Sequence, residues 1–174
     1  MNSTSSMYTI ISGTNRAGSN TFKVAKEYQR FLKQKGIAAT ILSLEGINLL
    51  LRDKAFEKIE NEIVIPTEKF LFIIPEYNGS YPGALKLLFD TGKSHSIWWH
   101  KKALLTGVST GRAGNVRGME HLAAVLNHLK ITVYPNMLPV SGVDTLMDVS
   151  GKFTDATTIA TINNQLDQFI KWYH

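Results

Sequence analysis

Short apolar runs alternate with longer helical patterns along the chain, and this alternation restricts the fold more than any other feature of the sequence. Strands are predicted over 8–12, 37–44, 69–75, 103–109 and 131–134, and helices over 19–35, 50–62, 82–90, 116–130 and 155–173. Strands that alternate with helices are typical of right-handed crossovers, which produce a parallel sheet covered on both faces. The sequence therefore predicts an α/β protein.

The central strands are continuous apolar runs, FLFII at 70–74 and ALLTGV at 103–108. Such runs are expected where a strand is buried on both faces of a parallel sheet. Five strands favour a flavodoxin-like three-layer sandwich with strand order 2-1-3-4-5. A chain of 174 residues with 44% hydrophobic and 19% charged residues suits one such domain, over 1–174.

Ligands of open parallel sheets bind outside the carboxyl ends of the strands, where the winding direction switches. The loops after strands one, three and four are therefore the candidate site. The first loop reads GTNRAGSNT at 13–21 and opens directly into a helix. It matches neither a Walker A sequence nor a dinucleotide GxGxxG. Its hydroxyls, its amides and Arg16 favour a phosphate at the helix N-terminus; ordinary capping by Ser19 is the alternative.

The second loop reads PEYNGSYPG at 75–83, between the third strand and a helix that Pro82 can start. Asn78-Gly79 is a turn pair, and Gly79 lets the backbone approach a flat ligand. Successive N–H groups here would bond the edge of a heteroaromatic ring, although a plain βα connection has a similar length. The third loop, 109–115, places two glycines among hydroxyls before a helix and is a weaker signal.

Composition narrows the function classes. The chain has no cysteine, which excludes disulfides and thiolate metal sites. Its net charge is +5, but no basic stripe with interleaved aromatics indicates a nucleic-acid surface. No apolar run is long enough to span a membrane, and the five histidines lack metal-ligand spacing. No signal peptide is expected, because no basic residue precedes the first apolar segment. A cytoplasmic protein that binds neither metal, membrane nor nucleic acid is expected.

Together the three loops resemble the NADPH-dependent FMN reductases, a flavodoxin-like family of flavin, quinone and azo-compound reductases. The matching residues are GTNRAGSNT at 13–21, PEYNGSYPGALK at 75–86 and SxGxxG within 109–114, followed by Arg117. The resemblance implies non-covalently bound FMN and a homodimer or homotetramer. The chain departs from the family pattern after Asp90, where Thr91 stands in place of the usual tryptophan.

The resemblance also assigns the candidate FMN-binding residues. The phosphate would be held by Thr14, Arg16, Ser19, Asn20 and Thr21; the ring would be bordered by Pro75, Glu76, Tyr77, Asn78 and Gly79; and its other side would be closed by Ser109, Gly111, Arg112 and Gly114. Whether Glu76 contacts the ring or braces the loop stays open at this point. Arg112 is a candidate cation near the ring or the NADPH phosphate.

The implied reaction is hydride transfer from NADPH or NADH to FMN and then to a flavin, quinone or azo acceptor, with ping-pong kinetics. The chemistry belongs to the flavin, so no acid–base residue is predicted. A flavodoxin-type electron carrier without NAD(P)H turnover is the first alternative; such carriers are typically acidic, whereas this chain is basic. A regulatory flavin- or nucleotide-binding protein is the second.

Overall fold

The computed structural model describes residues 7–172, in which a parallel sheet lies between two layers of helices. The strands are β1 (Tyr8–Ser12), β2 (Ala39–Ser43), β3 (Lys69–Pro75), β4 (Lys102–Val108), β5 (Thr132–Val133) and β6 (Leu138–Val140). The helices are α1 (Asn20–Gln34), α2 (Lys54–Ile59), α3 (Gly83–Asp90), α4 (Val116–His128), α5 (Val143–Leu146) and α6 (Ala156–Lys171). A π turn covers Glu60–Val64 and a 3₁₀ turn covers His95–Trp98.

The strand order β2-β1-β3-β4-β5 confirms the predicted topology. Neighbouring strands of this sheet are parallel, and β3 pairs with β4 along its whole length, from Lys69 beside Lys102 to Pro75 beside Val108. The carboxyl ends of β1, β3 and β4 therefore lie side by side at one edge of the sheet.

Two apolar cores lie on opposite faces of the sheet because successive strand residues point to opposite sides. Phe70, Phe72 and Ile74 of β3 pack with Leu85 of α3 and Leu122 of α4 on one face. Trp98 is 1% exposed and belongs to this core.

The opposite face of the sheet is covered by α1 and α6. Leu71 and Ile73 of β3 pack there with Tyr28 of α1 and with Leu166 and Phe169 of α6. The two helix layers around one sheet give the three-layer sandwich that the sequence predicts.

The last strand position differs from the prediction, which placed one strand over 131–134. Two short segments, β5 and β6, both pair with β4 in parallel, and the chain leaves the sheet between them at Pro135. The sequence prediction missed β6 and α5, because segments of three and four residues carry too little periodicity to be recognised.

The predicted helix over 50–62 is also wrong in its bounds. Asp53 caps α2 by accepting the Phe56 amide at 2.9 Å, so the helix begins at Lys54. It then widens into the π turn, where the buried Glu60 carboxylate accepts Arg52 Nε at 2.8 Å and the Lys93 amide at 2.7 Å. β1 and β3 have the predicted bounds, and the other predicted helices and strands differ from the structure by one or two residues at an end. Tyr173, the predicted end of the last helix, lies outside the described residues.

Candidate functional site

The loops after β1, β3 and β4 meet around a pocket of about 220 Å³ at the carboxyl edge of the sheet. Its wall is formed by Arg16, Ser19, Asn20, Thr21, Pro75, Glu76, Tyr77, Val108, Ser109, Thr110, Gly111 and Val143. The predicted site residues outside this wall are Thr14, Asn78, Gly79, Arg112 and Gly114. The prediction that these three loops meet at one edge of the sheet therefore agrees with the structure. Val108, Thr110 and Val143 also line the pocket, and the sequence analysis did not name them.

The first loop presents unclaimed donors at the start of α1. Ser19 caps the helix, its hydroxyl accepting the Phe22 amide at 3.1 Å. The next two amides, those of Asn20 and Thr21, have no acceptor among residues 7–172. Free N–H groups at a helix N-terminus, beside the Arg16 guanidinium, favour an anionic ligand. Ser19 thus caps the helix, and the Asn20 and Thr21 amides are still available to a ligand.

A hydroxyl pair joins the first loop to the second. Thr14 is 1% exposed, and its Oγ1 lies 2.7 Å from the Tyr77 hydroxyl. The same oxygen accepts the Arg16 amide at 3.2 Å, and the Arg16 guanidinium lies 4.8 Å from the centre of the Tyr77 ring. Thr14 is consequently placed to hold Tyr77 and the backbone of Arg16.

The second loop is a tight turn rather than an open row of amides. Tyr77 and Ser80 exchange backbone hydrogen bonds of 2.9 and 3.1 Å, and Asn78 and Gly79 between them both have positive φ, 51° and 77°. Two positive φ angles define the type I′ turn that an Asn-Gly pair favours. The amides of Tyr77 and Ser80 are therefore engaged inside the turn, contrary to the expectation of successive free donors.

The carboxylate of Glu76 braces this turn. Its Oε1 accepts the Gly79 amide at 2.8 Å, while the Glu76 amide donates to Val108 O at 3.1 Å. Among residues 76–80, Asn78 carries the one amide without an acceptor in the described part of the chain. Asn78 is thus the backbone donor that this turn leaves for a ligand.

The third loop is folded around Ser109. The Ser109 hydroxyl donates to Gly111 O at 2.8 Å and accepts the Gly114 amide at 3.0 Å. Gly111 O also accepts the Gly142 amide at 3.2 Å, and Ser109 O accepts the Val143 amide at 3.1 Å. These bonds attach the segment after β6 to the loop, which explains how Val143 reaches the pocket wall.

The arginines of the chain divide into two groups. Arg30 pairs with Glu27, and Arg52 pairs with Glu57 and Glu60. Within residues 7–172 no ion pair is assigned to the other three, Arg16, Arg112 and Arg117, all of which follow the carboxyl ends of β1 or β4. The charges of these three arginines favour anionic ligands at this edge. The described residues contain no cluster of metal-ligating side chains.

Glu27 anchors the segment that carries Val143. Its buried carboxylate accepts Arg30 Nε at 2.8 Å, Arg30 Nη2 at 2.7 Å and the Phe153 amide at 3.0 Å. Burial alone raises the pKa of Glu27, but the hydrogen bonds from Arg30 and Phe153 together with the Arg30 charge outweigh it and lower the pKa below its ordinary value.

This carboxylate should make stability depend on pH. A group with a depressed folded-state pKa stabilises the fold above its unfolded pKa of 4.5, and this contribution is lost as the pH falls through the folded value. We expect Glu27→Gln to be less stable than wild type in urea unfolding at neutral pH, with a difference that shrinks below pH 4.5. Asp148 and Asp155 also have depressed pKa values, so the difference between the two proteins is the quantity to follow. A difference that is constant with pH would contradict the assignment.

A parallel sheet in this order, with a pocket at the switch point between the loops after β1, β3 and β4, is a flavodoxin-like fold, a class in which such pockets bind nucleotides. The family model described as NADPH-dependent FMN reductase matches residues 8–144, most of the chain. The chain belongs to the NADPH-dependent FMN reductase family, and it is an NAD(P)H-dependent oxidoreductase that uses FMN.

Characterised relatives align along almost the whole chain. A quinone reductase of Pseudomonas putida is 29% identical over 177 residues, which cover 94% of this chain and 92% of that protein. An NAD(P)H-dependent FMN reductase of Pseudomonas aeruginosa is 29% identical over 93% of this chain and 92% of its own. The fold is similar to that of a flavoenzyme NAD(P)H:(acceptor) oxidoreductase from Paracoccus denitrificans, with a TM-score of 0.79 at 20% identity and 96% of both chains covered.

The residues present fit FMN. The Asn20 and Thr21 amides and Arg16 supply donors and charge for a phosphate at one part of the pocket wall. Tyr77, the Asn78 amide and the loop after β4 supply an aromatic surface and further donors nearby. No helix in the described residues is long and apolar enough to cross a membrane.

Proposed function

We propose that this protein transfers hydride from NADPH or NADH to bound FMN and then to a small-molecule acceptor, with ping-pong kinetics. The observation that carries the proposal is the pocket wall itself, in which two amides that have no hydrogen-bond acceptor, and an arginine that has no ion pair, among residues 7–172 adjoin an aromatic turn. FMN, when bound, supplies the hydride-accepting centre. The chain's own residues bind and orient the cofactor, and none of them is proposed as a general acid or base.

The proposed roles follow the contacts described above. Arg16, Ser19, Asn20 and Thr21 bind the phosphate, and Thr14 supports them through Tyr77 and the Arg16 backbone. Residues 75–79 border the ring, with Glu76 bracing the turn that ends at Ser80 and Asn78 offering its amide. The loop at 109–114 closes the other side, and Arg112 is an exposed cation there.

We propose a quinone as the acceptor. The support comes from relatives: the P. putida quinone reductase, and a 2-hydroxy-1,4-benzoquinone reductase of a Burkholderia species that is 26% identical over 114 residues, 63% of this chain. A flat acceptor can occupy the place that the nicotinamide leaves, which is the basis of the ping-pong order. Free flavin and azo compounds are the competing acceptors to assay beside quinones.

The domain organisation, the assembly state and the cellular location are also proposals. We propose that residues 1–174 form one flavodoxin-like domain, that two or four copies assemble, and that the protein acts in the cytoplasm, where NAD(P)H is supplied. The two apolar cores share one sheet, which supports a single domain. Size-exclusion chromatography with light scattering would measure the assembly state.

Anaerobic mixing of the FMN-loaded protein with NADPH tests the reaction directly. We expect flavin absorbance to bleach in a stopped-flow experiment, and a quinone added afterwards to restore it without NADPH present. Flavin that NADPH leaves oxidised, but that a reduced partner protein bleaches, would support the electron-carrier alternative instead. The family match and the net charge of +5 both favour the reductase over an acidic carrier.

A further inference from the structure

Asn115 is a buried side chain at the end of the third loop, and no role has been assigned to it so far. It precedes α4, it is 1% exposed, and its backbone is left-handed with φ of 62°. It is the last residue of the third loop, but it is not one of the assigned FMN-binding residues, and its side chain makes no capping bond to the helix that it precedes. A buried asparagine that does not cap its own helix has its hydrogen bonds elsewhere.

The Asn115 side chain crosses to the end of β3. Its Nδ2 donates to Ile74 O at 3.1 Å and to Pro75 O at 2.8 Å. These two carbonyls immediately precede the Glu76–Ser80 turn, while the Asn115 backbone immediately follows the 109–114 loop. One side chain therefore attaches the turn on one side of the pocket to the loop on the other.

The position of the Asn115 side chain is energetically unfavourable in one respect and restricts the neighbouring sequence in another. The Asn115 Oδ1 is buried without a partner among the described residues, and an unsatisfied buried acceptor destabilises the fold. The same oxygen occupies the space where a side chain at position 118 would begin, so that only a glycine fits at Gly118 with this rotamer. Such costs are tolerated where the geometry they fix is required.

We infer that Asn115 is a positioning residue that sets the separation between the Glu76–Ser80 turn and the 109–114 loop, and thereby the fit of the flavin ring. The inference rests on the proposed FMN site. It assigns to Asn115 the ring end of the pocket and leaves the phosphate end to Arg16 and the start of α1. Riboflavin, which has the same ring and no phosphate, separates the two ends.

The experiment titrates apoprotein with FMN and with riboflavin. Asn115→Gly keeps the left-handed backbone and removes the side chain. We expect it to raise the Kd of both flavins by the same factor, about tenfold, which corresponds to ~1.4 kcal/mol. Arg16→Ala should raise the Kd of FMN and leave that of riboflavin unchanged. Asn115→Asp keeps the size but places a carboxylate oxygen against Ile74 O and Pro75 O, so it should raise both Kd values at least as much as Asn115→Gly. If the glycine variant does not fold, Gly118→Ala decides the question.

Thr67→Val is the matched control for general destabilisation. It removes the Thr67 hydroxyl bonds to Thr9 Oγ1 and Ile63 O, both 2.6 Å, at the opposite edge of the sheet. We expect it to lower the free energy of unfolding but to leave both flavin affinities and the visible circular dichroism of bound FMN unchanged. Asn115→Gly should alter that dichroism, because the signal reports the surroundings of the ring.

Gly118→Ala provides an independent check. Its Cβ must displace the Asn115 side chain, so it should weaken both flavins as Asn115→Gly does, and the double variant should be no weaker than either single one. Riboflavin affinity within twofold of wild type in Asn115→Gly, or additive losses in the double variant, would overturn the inference alone. Wild-type protein that binds neither flavin would overturn the proposed function and the inference with it.

Discussion

Gly107→Ala should reduce the free energy of unfolding by about 3 kcal/mol or more, the upper range for overpacking a buried position. Gly107 lies in β4 directly beneath the third loop. A Cβ there would come closer to the Gly114 carbonyl oxygen than atoms can approach, and it would also lie 3.1 Å from Asn115 Cβ and from Met119 Cε. Because the nearest atom is backbone, relief requires moving the loop that closes the pocket, so we expect flavin binding to be lost as well.

Gly111→Ala is the matched control for this substitution. Gly111 lies in the loop above, and a Cβ there would meet nothing within 4 Å. We expect urea unfolding of this variant to match wild type within ~0.5 kcal/mol, the usual range for surface substitutions. Equal stability of the two alanine variants would contradict the packing described for β4 and the 109–114 loop.

Arg16→Ala should weaken FMN binding by a factor of about 10 to 100, because a hydrogen bond to a charged group contributes ~1.5–3 kcal/mol. Arg16 lines the pocket beside the free amides of α1, and no ion pair within the described residues competes for its guanidinium. Flavin fluorescence quenching on apoprotein measures the change. Arg16→Lys keeps the charge but not the planar fork of the guanidinium, so its affinity for FMN should lie between those of wild type and Arg16→Ala.

Salt and riboflavin distinguish a phosphate contact from an indirect effect. The wild-type affinity for FMN should decrease with ionic strength more steeply than that of Arg16→Ala, because a solvent-exposed charge pair is screened. If Arg16→Ala weakened riboflavin as much as FMN, the role of Arg16 would be to support the Tyr77 ring on which its guanidinium lies, and the phosphate assignment would be wrong.

The fold was predictable because its central strands are unambiguous. The run at 69–75 is buried at every position, so sequence and structure agree on its bounds, and Pro75 ends it in both. The last strand position was not predictable to the same degree. Its two segments hold only two and three residues, and their pairing with β4 depends on tertiary contacts that no local pattern encodes.

The loops of the site were predictable, but their internal hydrogen bonds were not. The Asn78-Gly79 pair identifies a turn from sequence, yet it does not show that Glu76 accepts the Gly79 amide within that turn. Asn115 was missed because an asparagine before a helix resembles an ordinary cap. Its bonds to Ile74 and Pro75 join residues about forty positions apart, a separation at which one sequence carries no pairing signal.

The division of the last strand position into β5 and β6 also protects the protein against aggregation through this edge of the sheet. An open sheet ends in unpaired backbone groups that can recruit a strand from another molecule and so nucleate aggregation. At this border β5 and β6 offer only short stretches, with Pro135 between them and Pro139, which has no N–H to donate, inside β6. Joining the two segments into one regular strand by replacing both prolines would create a continuous template, and the protein should then aggregate faster during refolding.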